Sequence, residues 1–122
     1  MALACGETPE PTAARSGLAQ RIDAQLRERL AEPGLTAADV AAPLGVSVRS
    51  LHRALAANGQ TFARQLMALC MAHAQRMLQS PALRRVTTAE IRRRVGLLDP
   101  SHFVRLCRQW LGETPASLRQ RH

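Results

Sequence analysis

The stretch from Thr36 to Gly59 constrains the fold more than any other part of the chain. Its sequence, TAADVAAPLGVSVRSLHRALAANG, predicts two short helices joined by a tight turn. Thr36 and Ser47 stand where a side-chain oxygen can accept a backbone N–H from the first turn of each helix. Gly45 lies between the helices, where the turn needs a residue that tolerates a positive φ. This spacing is typical of a helix-turn-helix motif.

The second helix of this motif has an apolar face and a polar face. We expect Val48, Leu51 and Leu55 to point inward, because they recur at helical spacing. The opposite face carries hydrogen-bonding side chains that could contact bases in a DNA major groove: Arg49, Ser50, His52 and Arg53. An ordinary helical hairpin with solvated arginines has the same pattern, so a single copy leaves both interpretations open.

A second copy of the pattern follows the long helical segment from Thr61 to Gln79. The threonine pair at 87–88 offers a cap, and Gly96 supplies a turn. Asp99-Pro100 marks the next helix start, because aspartate caps a helix and proline fits its first turn. The repetition favours DNA binding over an ordinary hairpin.

The two copies differ at two places when they are aligned on their glycines. The inward-facing residue follows the glycine by six positions in the first copy (Leu51) and by seven in the second (Phe103). This difference predicts a turn one residue longer in the second copy. Arg92 stands opposite Ala41, a small residue. We expect the run Arg92–Arg94 either to reach toward phosphates on its long stems or to distort the second copy.

The rest of the chain predicts further helices and no strand. Apolar residues recur every four positions from Leu18 to Leu30, which predicts a helix from Leu18 to Ala31. Pro43 lies inside a predicted helix, where a proline can cost ~3 kcal/mol or more. The expected division is a disordered leader or linker at 1–17, a first helix-turn-helix subdomain at 18–60, a linker helix at 61–80 and a second subdomain at 81–122, ending in a short helix through Arg121.

The charge of the chain is unevenly placed. All 17 basic residues are arginine, and they outnumber the 9 acids to give a net charge of +8. Residues 1–60 hold six arginines and six acids, whereas residues 61–122 hold eleven arginines and three acids. A basic half predicts a polyanionic partner, although basic proteins also bind membranes nonspecifically. No segment approaches the roughly 18 apolar residues of a membrane span, so we expect no membrane association.

Cysteine usage and residue spacing argue against several classes of site. Cys5, Cys70 and Cys107 are far apart and form no CxxC pair, which indicates neither a disulfide framework nor a zinc site. They predict reduced thiols in a cytoplasmic protein. No set of His, Cys, Asp or Glu has catalytic or metal-ligand spacing, and no glycine-rich phosphate loop is present. We therefore expect no enzyme activity, no metal and no cofactor.

Taken in order, these motifs resemble the DNA-binding domain of the AraC/XylS family of bacterial transcription regulators. The resemblance covers about residues 18–121. The matching motifs are Leu35-x4-Val40-Ala41-x3-Gly45-x-Ser47-x-Arg49-x-Leu51-x-Arg53, Gly59, Phe62, Ala74-x2-Met77-Leu78, Ile91, Gly96, Asp99-Pro100-Ser101-His102-Phe103, Arg105, Gly112, Thr114-Pro115 and Arg119. It implies an all-α fold of about seven helices, in which two helix-turn-helix subdomains are joined by a long linker helix.

By position, the resemblance assigns DNA contacts to particular residues. The candidates for reading bases are Arg49, Ser50, His52 and Arg53 in the first copy, and Pro100, Ser101 and Val104 in the second. The candidates for contacting the DNA backbone are Ser47, Arg92, Arg93, Arg94 and Arg105. For Arg53 and Arg105 two further roles stay open, either as phosphate contacts or as partners in intramolecular salt bridges.

The resulting hypothesis is a sequence-specific transcription regulator, an activator that also contacts RNA polymerase. It would bind double-stranded DNA as a monomer and place its two reading helices in successive major grooves. The alternative is a degraded family member that pairs with another regulator without reading DNA itself. Protection of a defined DNA site distinguishes the two.

Overall fold

The computed structural model describes the backbone of residues 10–120, which is helical wherever it is regular. In chain order the elements of this part are α1 (Glu10–Arg29), α2 (Ala37–Leu44), α3 (Val48–Ala56), α4 (Phe62–Leu78), a short 3-10 turn (Pro81–Leu83), α5 (Thr88–Arg94), α6 (Pro100–Leu111) and α7 (Pro115–Gln120). The prediction of an all-α fold with about seven helices is confirmed for these residues.

Helix α1 begins earlier than the sequence predicted. It starts at Glu10, whereas the apolar repeat predicted a start at Leu18. The first nine residues of the predicted leader lie outside the described residues, and residues 10–17 belong to α1. A proline at position 11 fits a first helical turn, where its missing N–H has no partner, and the alanines that follow favour a helix. This segment carries no apolar repeat, so periodicity could not reveal it.

Helix α2 is fixed at both ends by the residues that the sequence indicated. The Thr36 hydroxyl accepts the Asp39 N–H (3.2 Å), and the Asp39 carboxylate accepts the Thr36 N–H (3.0 Å), which forms a reciprocal cap. Pro43 lies exposed in the last turn, and the helix continues to Leu44 before Gly45 ends it. Pro43 therefore removes a single backbone bond near the helix end rather than interrupting its middle.

The chain forms two compact units that share α1 and α4. Within the described residues, the first unit contains 10–27 together with Thr36–Gln65, and the second contains Glu28–Leu35 and 66–120. In the first unit α2 packs on α3, and in the second α5 packs on α6. The buried apolar side chains of the first unit include Ile22, Leu26, Val40, Ala41, Leu51, Ala54 and Leu55. Those of the second include Met71, Ala74, Leu78, Ile91, Val95, Phe103, Cys107 and Leu118.

The two cysteines of the described chain are buried thiols. Cys70 and Cys107 are 4% and 0% exposed, and burial raises the pKa of each thiol to about 11. Both therefore stay protonated near neutral pH, where a reactive cysteine would be a thiolate. Cys5 lies outside the described residues. The burial of Cys70 and Cys107 supports a packing role in the second unit.

Two kinds of feature do not occur between residues 10 and 120. No helix there is both long and apolar enough to cross a bilayer. No group of three His, Cys, Asp or Glu side chains there lies close enough together to hold a metal ion.

Candidate nucleic-acid interface

Helix α3 begins at a serine cap and rests on buried apolar residues. The Ser47 hydroxyl accepts the Ser50 N–H (3.0 Å) and donates to the Ser50 hydroxyl (3.0 Å), which fixes the first turn. Leu51 and Leu55 are 0% and 3% exposed on the inner face. Val48, in contrast, is 39% exposed, so the prediction that it points inward is wrong. It is the first residue of α3, where helical phase alone does not guarantee that a neighbouring element covers the side chain.

The outer face of α3 carries the polar residues that the sequence singled out. Arg49, His52 and Arg53 are all exposed, whereas Ser50 is half-buried and already bonded to Ser47. Among the described residues, none forms a hydrogen bond or ion pair with the side chains of Arg49, His52 or Arg53. Arg53 therefore forms no intramolecular salt bridge with another described residue, although the sequence left that role open. This face offers two guanidinium groups and an imidazole to a ligand.

Helix α6 repeats this arrangement with different side chains. The Asp99 carboxylate accepts the N–H groups of Ser101 (3.0 Å) and His102 (3.4 Å), and Pro100 occupies the first turn. Phe103 is 1% exposed and anchors the inner face. Pro100 and Ser101 are exposed. The second unit thus presents a less polar helix start than the first.

Two further predicted residues lie along α6, and one exposed arginine joins them. Val104 is half-buried, and Arg105 is exposed without an ion-pair partner among the described residues. Arg108 is also exposed, and it follows Ser101 by seven residues and Arg105 by three. Residues at these intervals share one helical face. The sequence interpretation missed Arg108, although the same spacing in the sequence could have identified it.

The three consecutive arginines of α5 lie in two different environments. Arg93 and Arg94 are exposed, and each contacts the Glu90 carboxylate at 3.1 Å. The hydrogen bonds from Arg94 and then Arg93 lower the pKa of Glu90, so the carboxylate stays ionised. Such exposed pairs contribute little to stability, because water screens both charges. Because both side chains are exposed and only weakly held by Glu90, both guanidinium groups remain accessible to a phosphate.

Arg92 does not belong with these exposed arginines. It is 9% exposed, and its Nη1 donates to the carbonyl oxygens of Leu97 (3.0 Å) and Leu98. The sequence left two options for this residue, which were reach toward phosphates or distortion of the second copy. In the structure its side chain instead satisfies carbonyl groups of the turn between α5 and α6. The two helices on either side of that turn are regular.

The turn itself has the length that the sequence predicted. In the first unit the cap Ser47 follows Gly45 by two residues, and in the second the cap Asp99 follows Gly96 by three. Between its glycine and its cap, the second turn is therefore one residue longer. The added residue brings additional backbone groups that need hydrogen-bond partners.

Comparison with known proteins places this arrangement in a family. A family model described as a helix-turn-helix domain matches residues 40–121. Transcriptional activator NphR from a Rhodococcus species is 30% identical over 102 residues, which make up 84% of this chain and 30% of that protein. This chain thus corresponds to less than a third of the length of that relative.

Solved structures show the same fold. A DNA-binding transcriptional dual regulator from Escherichia coli K-12 has a TM-score of 0.76 at 18% identity, over 97% of this chain and 96% of that chain. The C-terminal domain of AraT, a response regulator from Geobacillus stearothermophilus, has a TM-score of 0.75 at 24% identity, over 86% and 85%. The C-terminal domain of the response regulator yesN from Fusobacterium nucleatum has a TM-score of 0.72 at 21% identity, over 84% and 98%.

These likenesses agree with the geometry of the two units. Each unit contains a capped helix with a buried apolar face and an exposed polar face, preceded by a shorter helix and a glycine turn. The fold and the family are those of proteins that bind double-stranded DNA rather than those of enzymes. The chain belongs to the AraC-type helix-turn-helix family of DNA-binding transcription regulators.

Proposed function

We propose that this protein recognises a specific DNA site and activates transcription from it, with α3 and α6 lying in successive major grooves. One observation carries the proposal. Each helix starts at a side-chain cap, rests on fully buried apolar residues, and exposes side chains in its first turns. Helices that read the major groove contact base edges mainly with their N-terminal residues.

The exposed residues divide into two proposed roles. Base reading falls to Arg49, Ser50, His52 and Arg53 on α3, and to Pro100, Ser101 and Val104 on α6. Contacts with the DNA backbone fall to Ser47, Arg93, Arg94 and Arg105, to which we add Arg108. We omit Arg92 from the backbone set, because its side chain is buried and already bonded to carbonyl groups.

Both reading helices belong to one chain, each with its own capped start and its own exposed side chains. Two unlike reading helices on one chain need no two-fold symmetric site. We therefore propose a monomer bound to an asymmetric site.

We propose the activating role because one relative of this chain is named as a transcriptional activator. NphR is described as a transcriptional activator, and it is 30% identical to this chain over 102 residues. An activator bound beside a promoter needs a contact with the transcription machinery. We propose RNA polymerase as that partner and the cytoplasm as the place of action.

Selection of binding sites from random DNA, followed by footprinting of the selected site, tests the proposal. We expect protection of an asymmetric site of about 20 base pairs, which is nearly two helical turns, with one chain bound. A two-fold symmetric footprint with two chains bound would contradict the monomer. Failure to protect any defined site, with the helical fold intact, would support the alternative of an interaction partner that does not read DNA.

A further inference from the structure

Counted from its glycine to its cap, the turn before α6 contains one residue more than the turn before α3, and the side chain just before the cap does not hold it in place. Leu98 lies within the longer turn, and its side chain is 62% exposed. Packing of this leucine therefore does little to hold the turn. Val95 and Leu97, earlier in the turn, pack in the second unit, so it is the end of the turn, from the Leu97 carbonyl to the cap, that depends on contacts of its backbone.

One side of the longer turn is held by a close backbone approach. Gly96 has a φ of +77°, and a Cβ at this position would lie 2.5 Å from the carbonyl oxygen of Leu30. Beyond Gly96, the Leu97 N–H donates to the Arg92 carbonyl oxygen at 3.2 Å. These contacts fix the first half of the turn, but not the carbonyl groups that follow.

The Arg92 side chain holds the second half. Its Nη1 donates to the carbonyl oxygens of Leu97 and Leu98, which directly precede the cap residue Asp99. The corresponding residue in the first unit is Ala41, which is 2% exposed and cannot reach across a turn. The arginine thus coincides with the longer turn, and its donors satisfy carbonyl groups within it.

We propose that Arg92 is a positioning residue for DNA recognition: it fixes the start and direction of α6 and thereby sets the base preference of the second unit. This inference rests on the proposed function. Arg92 acts through the turn and touches no DNA. Hydrogen bonds from a charged donor are stronger than neutral ones, so a single side chain can hold the turn.

The surroundings of Arg92 determine which substitution tests this role. Its side chain lines an apolar cavity of about 340 Å³ together with Pro100, Phe103 and Val104, which belong to the first part of α6. Alanine would enlarge this cavity and mix two effects. Methionine keeps most of the stem volume and removes the donors, so Arg92→Met isolates the hydrogen bonds. Arg93→Met is the matched control, because it removes the same charge from an exposed position on the same helix.

The first measurement needs no DNA. The N–H groups of Ser101 and His102 are bonded to the Asp99 cap at the start of α6, and their amide hydrogen exchange reports its order. We expect Arg92→Met to accelerate their exchange roughly tenfold or more, since two charged hydrogen bonds are removed. Exchange at Ser50, which occupies the corresponding place in α3, should stay unchanged. Arg93→Met should leave the exchange of all three of these N–H groups unchanged.

The second measurement uses the selected DNA site with single base changes in each half. In the half contacted by α6, we expect the ratio of affinities for the selected site and its single-base variants to be roughly tenfold smaller in Arg92→Met than in the wild type. In the other half the ratio should stay the same. The slope of log affinity against log salt concentration should not change, because the Arg92 guanidinium neutralises no phosphate. Arg93→Met should show the reverse, a flatter slope with discrimination retained in both halves.

The outcomes separate this inference from the function on which it rests. Unchanged exchange at Ser101 and His102, or retained discrimination in the second half, would overturn the positioning role. A flatter salt slope in Arg92→Met would show a phosphate contact instead. If the wild-type protein discriminates bases in neither half, the proposed function fails, while the exchange measurement still tests the turn. If Arg92→Met does not fold, Arg92→Gln, whose shorter side chain cannot carry a donor as far as Nη1, undergoes the same comparisons.

Discussion

At the residue scale, Arg49 is the side chain best placed to read a base. It is the second residue of α3, it is exposed, and no other described residue binds its guanidinium. An arginine at the start of a recognition helix can donate two parallel hydrogen bonds to guanine in the major groove. Ser50, by comparison, is half-buried, and its hydroxyl oxygen already accepts a hydrogen bond from Ser47, which leaves its own O–H to donate to a base.

Arg49→Ala should therefore weaken binding to the selected site by about 1–3 kcal/mol and relax the preference at one base position. Fluorescence titrations with the selected site, its single-base variants and random DNA measure both effects. Arg64→Ala serves as the control, because Arg64 is an exposed arginine near the start of α4, outside both reading helices. Equal losses on selected and random DNA would instead identify Arg49 as a phosphate contact.

Single residues also show what local sequence can and cannot predict. The caps Thr36, Ser47 and Asp99 were predictable, because a cap needs only a side-chain oxygen within a few residues of the N–H that it accepts. The role of Arg92 was not, because its partners are carbonyl groups of a turn whose course depends on packing. Val48 has the helical phase of an inward residue, but phase does not reveal whether another element covers it.

At the element scale, the glycine turns fix where α6 begins and ends. Gly96 precedes α6 and Gly112 ends it, with φ angles of +77° and +79°. Any other L-residue is strained at such angles. The two sites differ in the space around them. A Cβ at Gly96 would lie 2.5 Å from the Leu30 carbonyl oxygen, whereas a Cβ at Gly112 would meet no atom within 4 Å.

This difference gives a paired prediction for stability. Gly112→Ala should lower the free energy of unfolding by about 1–2 kcal/mol, the cost of the left-handed conformation alone. Gly96→Ala should cost more than Gly112→Ala, because the clash is with backbone atoms that cannot rotate away. Urea denaturation followed by circular dichroism measures both variants. Equal costs would show that the backbone near Leu30 yields freely to the added methyl group.

Helices with an apolar repeat or clear end signals could be predicted closely from the sequence. Helix α4 was expected from Thr61 to Gln79 and spans Phe62–Leu78, and α6 was expected to start at Asp99-Pro100 and spans Pro100–Leu111. The first turns of α1 could not be predicted, because propensity rather than periodicity favours them. The sharing of α1 and α4 between two units was also hidden, since it depends on contacts between distant parts of the chain.

At the scale of the whole molecule, the excess positive charge lies in the second half of the chain. Residues 61–122 hold eleven arginines and three acids, whereas residues 1–60 are balanced. The sequence could predict this excess but not how it is distributed in space. Arg93 and Arg94 share one carboxylate, that of Glu90, so this cluster keeps a net positive charge at the surface. We therefore expect the first unit to supply most of the sequence selection and the second half of the chain to supply most of the contacts with the DNA backbone.

The salt dependence of binding tests this division of labour. Removing one arginine that neutralises a phosphate should reduce the steepness of log affinity against log salt concentration by about 0.9. Arg94→Ala should therefore reduce it by about that amount and weaken binding on selected and random DNA alike. Arg27→Ala is a matched control, because Arg27 is also exposed and also pairs with a carboxylate four residues earlier, Asp23. Its removal should leave the slope unchanged, since it belongs to the balanced half. An equal change of slope in both variants would mean that the salt dependence of binding follows the net charge of the protein alone. An unchanged slope in Arg94→Ala would mean that other residues contact the phosphates.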